Sequence, residues 1–154
     1  MIAEVTIDDK ELRAHLAGIV KRKDQITARD KAIVGILSSV VFKDIMEHFD
    51  REEGPEGGWP GWSPSYTKFM DSIGRGNNKL LQFTGRLRGS FQPTNVRTSS
   101  EGVLWFNNAQ TESGFPYAAA HNEGGGKLPQ REFMWVSDSA LEDMSEQLLR
   151  FLES

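Results

Sequence analysis

The chain has 154 residues, enough for one domain with a proper hydrophobic core. Its 18 Lys and Arg against 22 Asp and Glu leave a net charge of −4, which argues against whole-protein attraction to nucleic acid or to an anionic membrane. The absence of cysteine excludes disulfides, thiolate nucleophiles and cysteine-based zinc sites. Apolar runs reach about five residues, far short of a membrane span, and the acidic start with Glu4, Asp8 and Asp9 is unlike a secretory leader. A hydrophobic fraction of 38% with 15 glycines predicts a soluble intracellular protein with long loops.

Glycine and proline divide the chain into three. Residues 1–50 hold two glycines, residues 51–130 hold the other 13 with all six prolines, and residues 131–154 hold neither. Met1, Ala3, Val5 and Ile7 alternate with polar neighbours and predict a strand. Asp8 then caps a helix whose Leu12, Leu16, Ile19 and Val20 form an apolar stripe. A second helix opens at Thr27, with Asp30 resembling a capping box, and carries Ile33, Leu37, Val40, Val41, Ile45 and Phe49 on one stripe over about six turns. Residues 50–63 are broken by Gly54, Pro55, Gly57, Gly58, Pro60 and Gly61 and predict irregular chain. Ser63-Pro64 starts a short helix running to about Ser72.

Residues 79–91 predict another short helical turn with Leu80, Leu81, Phe83 and Leu87 inward. Val96–Thr98 and Val103–Phe106 flank a Ser-Ser-Glu-Gly turn and predict a hairpin. A glycine- and alanine-rich loop is expected from Asn108 to Pro129, a last strand over Arg131–Val136, and a closing helix capped by Ser139 and Glu142 that buries Leu141, Met144, Leu148, Phe151 and Leu152. These elements predict a single α+β domain over residues 1–154: a small, mostly antiparallel sheet packed with amphipathic helices, with a loop-rich middle over 50–130.

Catalytic and metal-binding patterns are weak. His15 and His48 lie among charges on amphipathic helices and predict solvated or half-buried side chains. His121, two residues from Glu123, lacks a second ligand at a metal-binding spacing and is expected to anchor a loop. Gly124-Gly125-Gly126 before Lys127 lacks the strand and helix of a phosphate loop. No nucleophile motif is present, so no enzyme activity and no cofactor or metal are expected. Two features could mediate contacts. Lys68, Arg75, Lys79, Arg86, Arg88 and Arg97 stand against one acid, Asp71, and could meet nucleic acid or the acidic closing segment of another subunit. Trp59, Trp62 and Tyr66 in the glycine-rich middle either anchor an interface or fold back over the core.

Four short motifs occur in a set order. They are Trp62-Ser-Pro64, Leu81-Gln-Phe-Thr84-Gly85-Arg86-Leu87-Arg88-Gly-Ser90, Tyr117-Ala-Ala-Ala-His121-Asn-Glu-Gly124 and Pro129-Gln-Arg131-Glu-Phe133. In this order and in a chain of this length they resemble the phage virion morphogenesis family, the tail-completion proteins of Mu-like and related tailed phages. The resemblance implies a non-enzymatic structural protein of the virion tail or neck, assembled in the host bacterial cytoplasm. It would complete the tail for head–tail joining, often as a hexameric ring. Implied partners are further copies of itself, the tail tube protein and neck or connector proteins, with DNA passing the lumen without sequence-specific binding, and no membrane. Trp62, Thr84, Gly85, Leu87, Tyr117, His121, Pro129, Arg131 and Phe133 become family positions that anchor loops and pack. His121 is expected to hydrogen-bond across its loop to fix Tyr117 and the chain at Arg131.

Overall fold

Alternating residues make the first strand, β1 (Ala3–Asp8), which buries Ala3 and turns Glu4 and Thr6 to solvent. The structure, a computed structural model, describes residues 2–8, 30–99 and 102–154. The helix predicted around Leu12–Val20, the Thr27 start and His15 lie outside the described residues. The long helix α1 (Asp30–Arg51) buries Ile33, Leu37, Val40, Val41, Ile45 and Phe49, the six residues that its apolar spacing singles out.

Residues 50–63 contain more order than their glycines and prolines suggest. Glu53–Gly54 (β2) and Gly57–Gly58 (β3) pair as a minimal antiparallel hairpin around Pro55-Glu56, and the Trp59 amide closes it onto the Glu52 carbonyl at 2.7 Å. Helix α2 (Pro64–Ser72) begins where Ser63-Pro64 predicts. Between 79 and 91 only α3 (Arg86–Ser90) is helical. Leu87 and Phe91 pack inward, Phe91 stacking on Phe42 of α1 at 5.9 Å, but Phe83 is 42% exposed, against the inward orientation its spacing suggests.

The predicted hairpin forms from β4 (Val96–Ser99) and β5 (Gly102–Asn107). With β1 it makes a three-stranded antiparallel sheet in the order β1-β5-β4, so the fold is α+β. Trp105 stands opposite both Val5 and Val96 and is fully buried; its indole N–H donates to Ser38 Oγ at 2.9 Å, which ties the sheet to α1.

Three expectations for the last third are corrected. The stretch 108–129 is not all loop, because Tyr117–Glu123 forms helix α4, in keeping with the helix propensity of its three alanines. Residues 131–136 pair with no strand among the described residues, and side chains take up several of their main-chain groups. Asn122 Oδ1 accepts from the amides of Phe133 and Met134 at 3.0 and 2.9 Å, and the Glu132 carbonyl accepts from the Trp59 indole at 2.9 Å. The closing helix α5 (Asp138–Glu153) is capped by Ser137 rather than Ser139, with Ser137 Oγ accepting from the Ala140 amide at 3.1 Å. It packs on α1 through Ala140, Met144 and Leu148, while Leu141, Phe151 and Leu152 are only half-buried.

Candidate interaction groove

Helix α2 owes its start to Ser63, whose Oγ accepts from the Tyr66 amide at 3.3 Å, and to Pro64 at the first helical position. It buries one residue, Met70, and leaves Tyr66, Phe69 and Ile73 at 40%, 49% and 42% exposure. Their spacing of three and four residues places them on one face. Trp62 continues this face, meeting Tyr66 edge-on at 5.7 Å, and Tyr66 meets Phe69 at 5.8 Å.

The neighbouring wall is the 79–87 loop. Glu52 accepts from the Leu80 amide at 2.9 Å and the Gln82 amide group donates to the Phe49 carbonyl at 3.1 Å, so the end of α1 fixes this loop. Leu81 is held at φ +59°, an unusual backbone for a leucine. Gly85, at φ +74°, starts α3; a Cβ there would meet nothing within 4 Å, so the backbone angle and not close packing is the reason for glycine. Thr84 Oγ1 receives the Arg86 amide at a long 3.4 Å, a weak cap just ahead of α3.

The third wall is α4 and the turn after it. Gly124 has φ +70°, and a Cβ would lie 2.8 Å from the Gln130 nitrogen, so both conformation and space demand glycine. The turn brings Arg131 back to α4, where its amide donates to the His121 carbonyl at 2.9 Å. The expected cross-loop bond is therefore made by the His121 main chain. The His121 side chain makes none to Tyr117; its Nδ1 has no hydrogen-bond partner among the described residues. Burial, with the Arg131 charge nearby, lowers the His121 pKa and favours the neutral ring. Arg131 is 6% exposed, and its Nε and Nη2 donate to the carbonyls of Pro60 and Gly61 at 2.8 Å each. Burial lowers its pKa, partly offset by Tyr66, but a guanidinium starts so high that it keeps its charge. Arg131 thus holds the segment that presents Trp62.

These walls enclose an open groove of about 1170 Å³. Trp62 from the first motif, Thr84, Gly85 and Leu87 from the second, Tyr117 and His121 from the third, and Pro129 and Arg131 from the fourth all line it. Residues spread over some seventy positions of sequence meet at one surface feature. The remaining candidates separate. Trp59 is buried over the core, meeting Phe49 edge-on at 5.6 Å, and Phe133 packs on Phe49 at 5.2 Å. Arg88 pairs with Asp50 at 2.9 Å, whereas Arg86 lines the groove and is exposed. Of the other cations in the basic segment, Arg75 lies over the Phe83 ring at 4.6 Å, Lys79 donates to the Asp50 carbonyl and Arg97 lies over Phe106 at 4.8 Å.

His48 is not half-buried, as its charged neighbours suggest, but 2% exposed. It stacks on Trp135 at 3.9 Å and directs Nδ1 to the Phe133 carbonyl at 3.1 Å. Groove residues to which the sequence motifs do not point include Leu128 on the turn and residues 110–113, and outside the lining the exposed face of α2 continues from Tyr66 through Phe69 to Ile73 at its C-cap. The helical spacing of Tyr66, Phe69 and Ile73 after the Ser63 cap was the available signal for the last two. Among the described residues no three His, Asp or Glu side chains gather as a metal site, and no helix is long and apolar enough to cross a membrane.

The four sequence motifs of this small α+β protein thus converge on one open, aromatic-edged groove. The model of the phage virion morphogenesis family matches residues 7–153, and the chain belongs to that family. No curated protein and no solved structure matches it. Membership gives the chain a structural or assembly role in the phage virion.

Proposed function

We propose that the chain is a non-enzymatic structural subunit that completes the phage tail and prepares it for head–tail joining, as a member of a homo-oligomeric ring at the tail or neck. The observation that carries this reading is the convergence of all four motifs on one groove beside an exposed apolar face. Such positions serve contact with another protein, because exposed aromatic residues clustered on one face are typical interface anchors. The tail tube protein and the neck or connector proteins are its proposed neighbours, with DNA passing the lumen. A nucleic-acid-binding reading of the 68–97 segment has less support, since Arg75, Lys79, Arg88 and Arg97 are engaged within the fold.

The test has two parts. Phage deleted for this chain should accumulate filled heads and separate tails, and adding the purified chain to those tails should restore joining. Negative-stain images of treated tails should show an added ring at one tail end. Normal joining in the deletion phage would refute the assignment.

A further inference from the structure

We propose that the groove is one half of a contact between two copies of this chain, and that the other half is the acidic outer face of α5. This rests on the ring reading and names the surfaces that would build it.

The first observation is charge. The groove is lined by Lys79, Arg86, Lys127 and Arg131 against a single carboxylate, Glu112, so it is positive by three on a chain whose net charge is −4. The side chains of Arg86 and Lys127 are exposed and make no hydrogen bond or ion pair with another described residue. The compensating negative charge must lie elsewhere; the acids of residues 44–56 are largely engaged within the fold by Arg51, Arg88, Ser137 and the Leu80 amide, whereas α5 carries five acids against one base. Asp138, Glu142, Glu146 and Glu153 are all exposed; Arg150, the one basic residue of that helix, pairs loosely with Glu146 at 3.4 Å and leaves the others without a cation on α5. Steps of four residues keep Asp138, Glu142 and Glu146 on one side. Because α5 is seated on α1 through Ala140, Met144 and Leu148, that side faces outward.

The second observation is shape and apolar area. About 1170 Å³ exceeds the roughly 300–1,000 Å³ usual for small-molecule sites, and an open trough suits a protein element better. Tyr66 lines the groove with Phe69 packed against it, and α5 offers half-buried Leu149 and Leu152 beside its acids. Joining two different surfaces makes a head-to-tail contact, which propagates and closes into a ring when the rotation permits. Opposite charges on the two faces set register and disfavour groove-to-groove or helix-to-helix pairing.

The experiment reverses charge on each face separately. One variant carries Arg86→Glu and Lys127→Glu; the other carries Glu142→Lys and Glu146→Lys. All four side chains are exposed, and circular dichroism with a denaturant midpoint checks that each variant folds. Masses are measured by light scattering over a range of concentration and salt. The expected result is that wild type associates, each variant alone associates at least about tenfold more weakly, and an equimolar mixture of the two regains the wild-type mass, since each acidic face then meets a basic one. Should a reversal unfold the chain, the neutral variants R86A/K127A and E142Q/E146Q replace them, with a reduced salt dependence of assembly as the expected result. Variants that assemble like wild type, or a mixture that fails to recover, overturn this pairing and leave the ring reading standing. A wild type that is monomeric at millimolar concentration also overturns it, and the ring is then judged by the tail-completion assay alone. Salt-sensitive DNA binding lost in the groove variant, with no change in its mass, overturns it in favour of nucleic acid.

Discussion

Between α1 and the 131–137 segment, most buried polar groups meet partners at close range, the Trp135 indole N–H being left without one among the described residues; along the groove, apolar and charged groups meet solvent. In the first region Asp44 accepts from the Ser137 amide at 2.8 Å and from the Ser137 hydroxyl at 2.6 Å, with His48 Nε2 at 3.5 Å and the His48 ring lying on Trp135. In the second, Tyr66, Phe69, Ile73 and Phe83 are each 40% exposed or more, and Arg86 and Lys127 are exposed beside them. The contrast separates two uses of similar residue types. Aromatic and polar side chains near α1 specify a unique packing, whereas the exposed ones at the groove, Tyr66, Phe83, Arg86 and Lys127 among them, bury little surface and contribute less to folding.

Breaking the packed side should produce the largest effect. Phe49→Ala removes a fully buried ring between Trp59 and Phe133, and a loss of about 3–5 kcal/mol is expected from the shift of a urea midpoint. Asn122→Ala comes next. It leaves the amides of Phe133 and Met134 unpaired, and at about 1–3 kcal/mol per orphaned group the same titration should show a clear loss. Gly124→Ala sits on the border between the regions. A strained angle and a clash with the Gln130 backbone should cost more than about 1 kcal/mol and displace Arg131, read as a change in its amide and side-chain NMR signals.

Phe69→Ser with Ile73→Ser sharpens the comparison from the other side. Stability should change by no more than about 0.5 kcal/mol per site, while association of the chain falls. An equally large loss of stability would show that the face belongs to the core after all. The smallest expected effects are in pH. Burial alone would raise the Asp44 pKa, but His48 and Ser137 outweigh it and the net shift is downward. Its stabilising contribution is therefore complete above the ordinary value of 3.8 and is lost as pH falls through the lower folded value; Asp44→Asn should remove that acid slope. His121, also lowered, contributes fully above 6.5 and less as pH falls from there, so His121→Gln should flatten the stability profile in mildly acid solution relative to wild type.

Local signals in the sequence were read correctly where one element decides its own form. The α1 stripe, the Ser63-Pro64 start and the β4–β5 pairing each depend on neighbours within a few residues, and each appears where the spacing puts it. Residues 131–136 show the opposite case. Their apolar, largely buried residues read as a strand, but Asn122, Trp59 and His48 provide hydrogen bonds that a neighbouring strand would. Nothing within the segment reveals that. Ser137 and Ser139 were equally good caps by type, and the carboxylate of Asp44, 93 positions away from Ser137, holds the first of them in place. The family motifs were legible in order, yet their meeting in one groove depends on Arg131 reaching Pro60 and Gly61 across the fold. Phe83 and His48 were misjudged because exposure was inferred from chain neighbours, whereas contacts distant in sequence determine it.

The Asn122 carboxamide oxygen, shared by two amides, gives this molecule an internal reporter. Helix α4 is seven residues long, so the protection of the Phe133 and Met134 amides against solvent exchange lasts only while that short helix stays docked. Because Tyr117 and His121 of the same helix line the groove, an occupant there would hold α4 closed. Deuterium uptake at two buried amides would then slow when a surface several residues away is filled, and the rate of isotope entry would track assembly without any label at the interface.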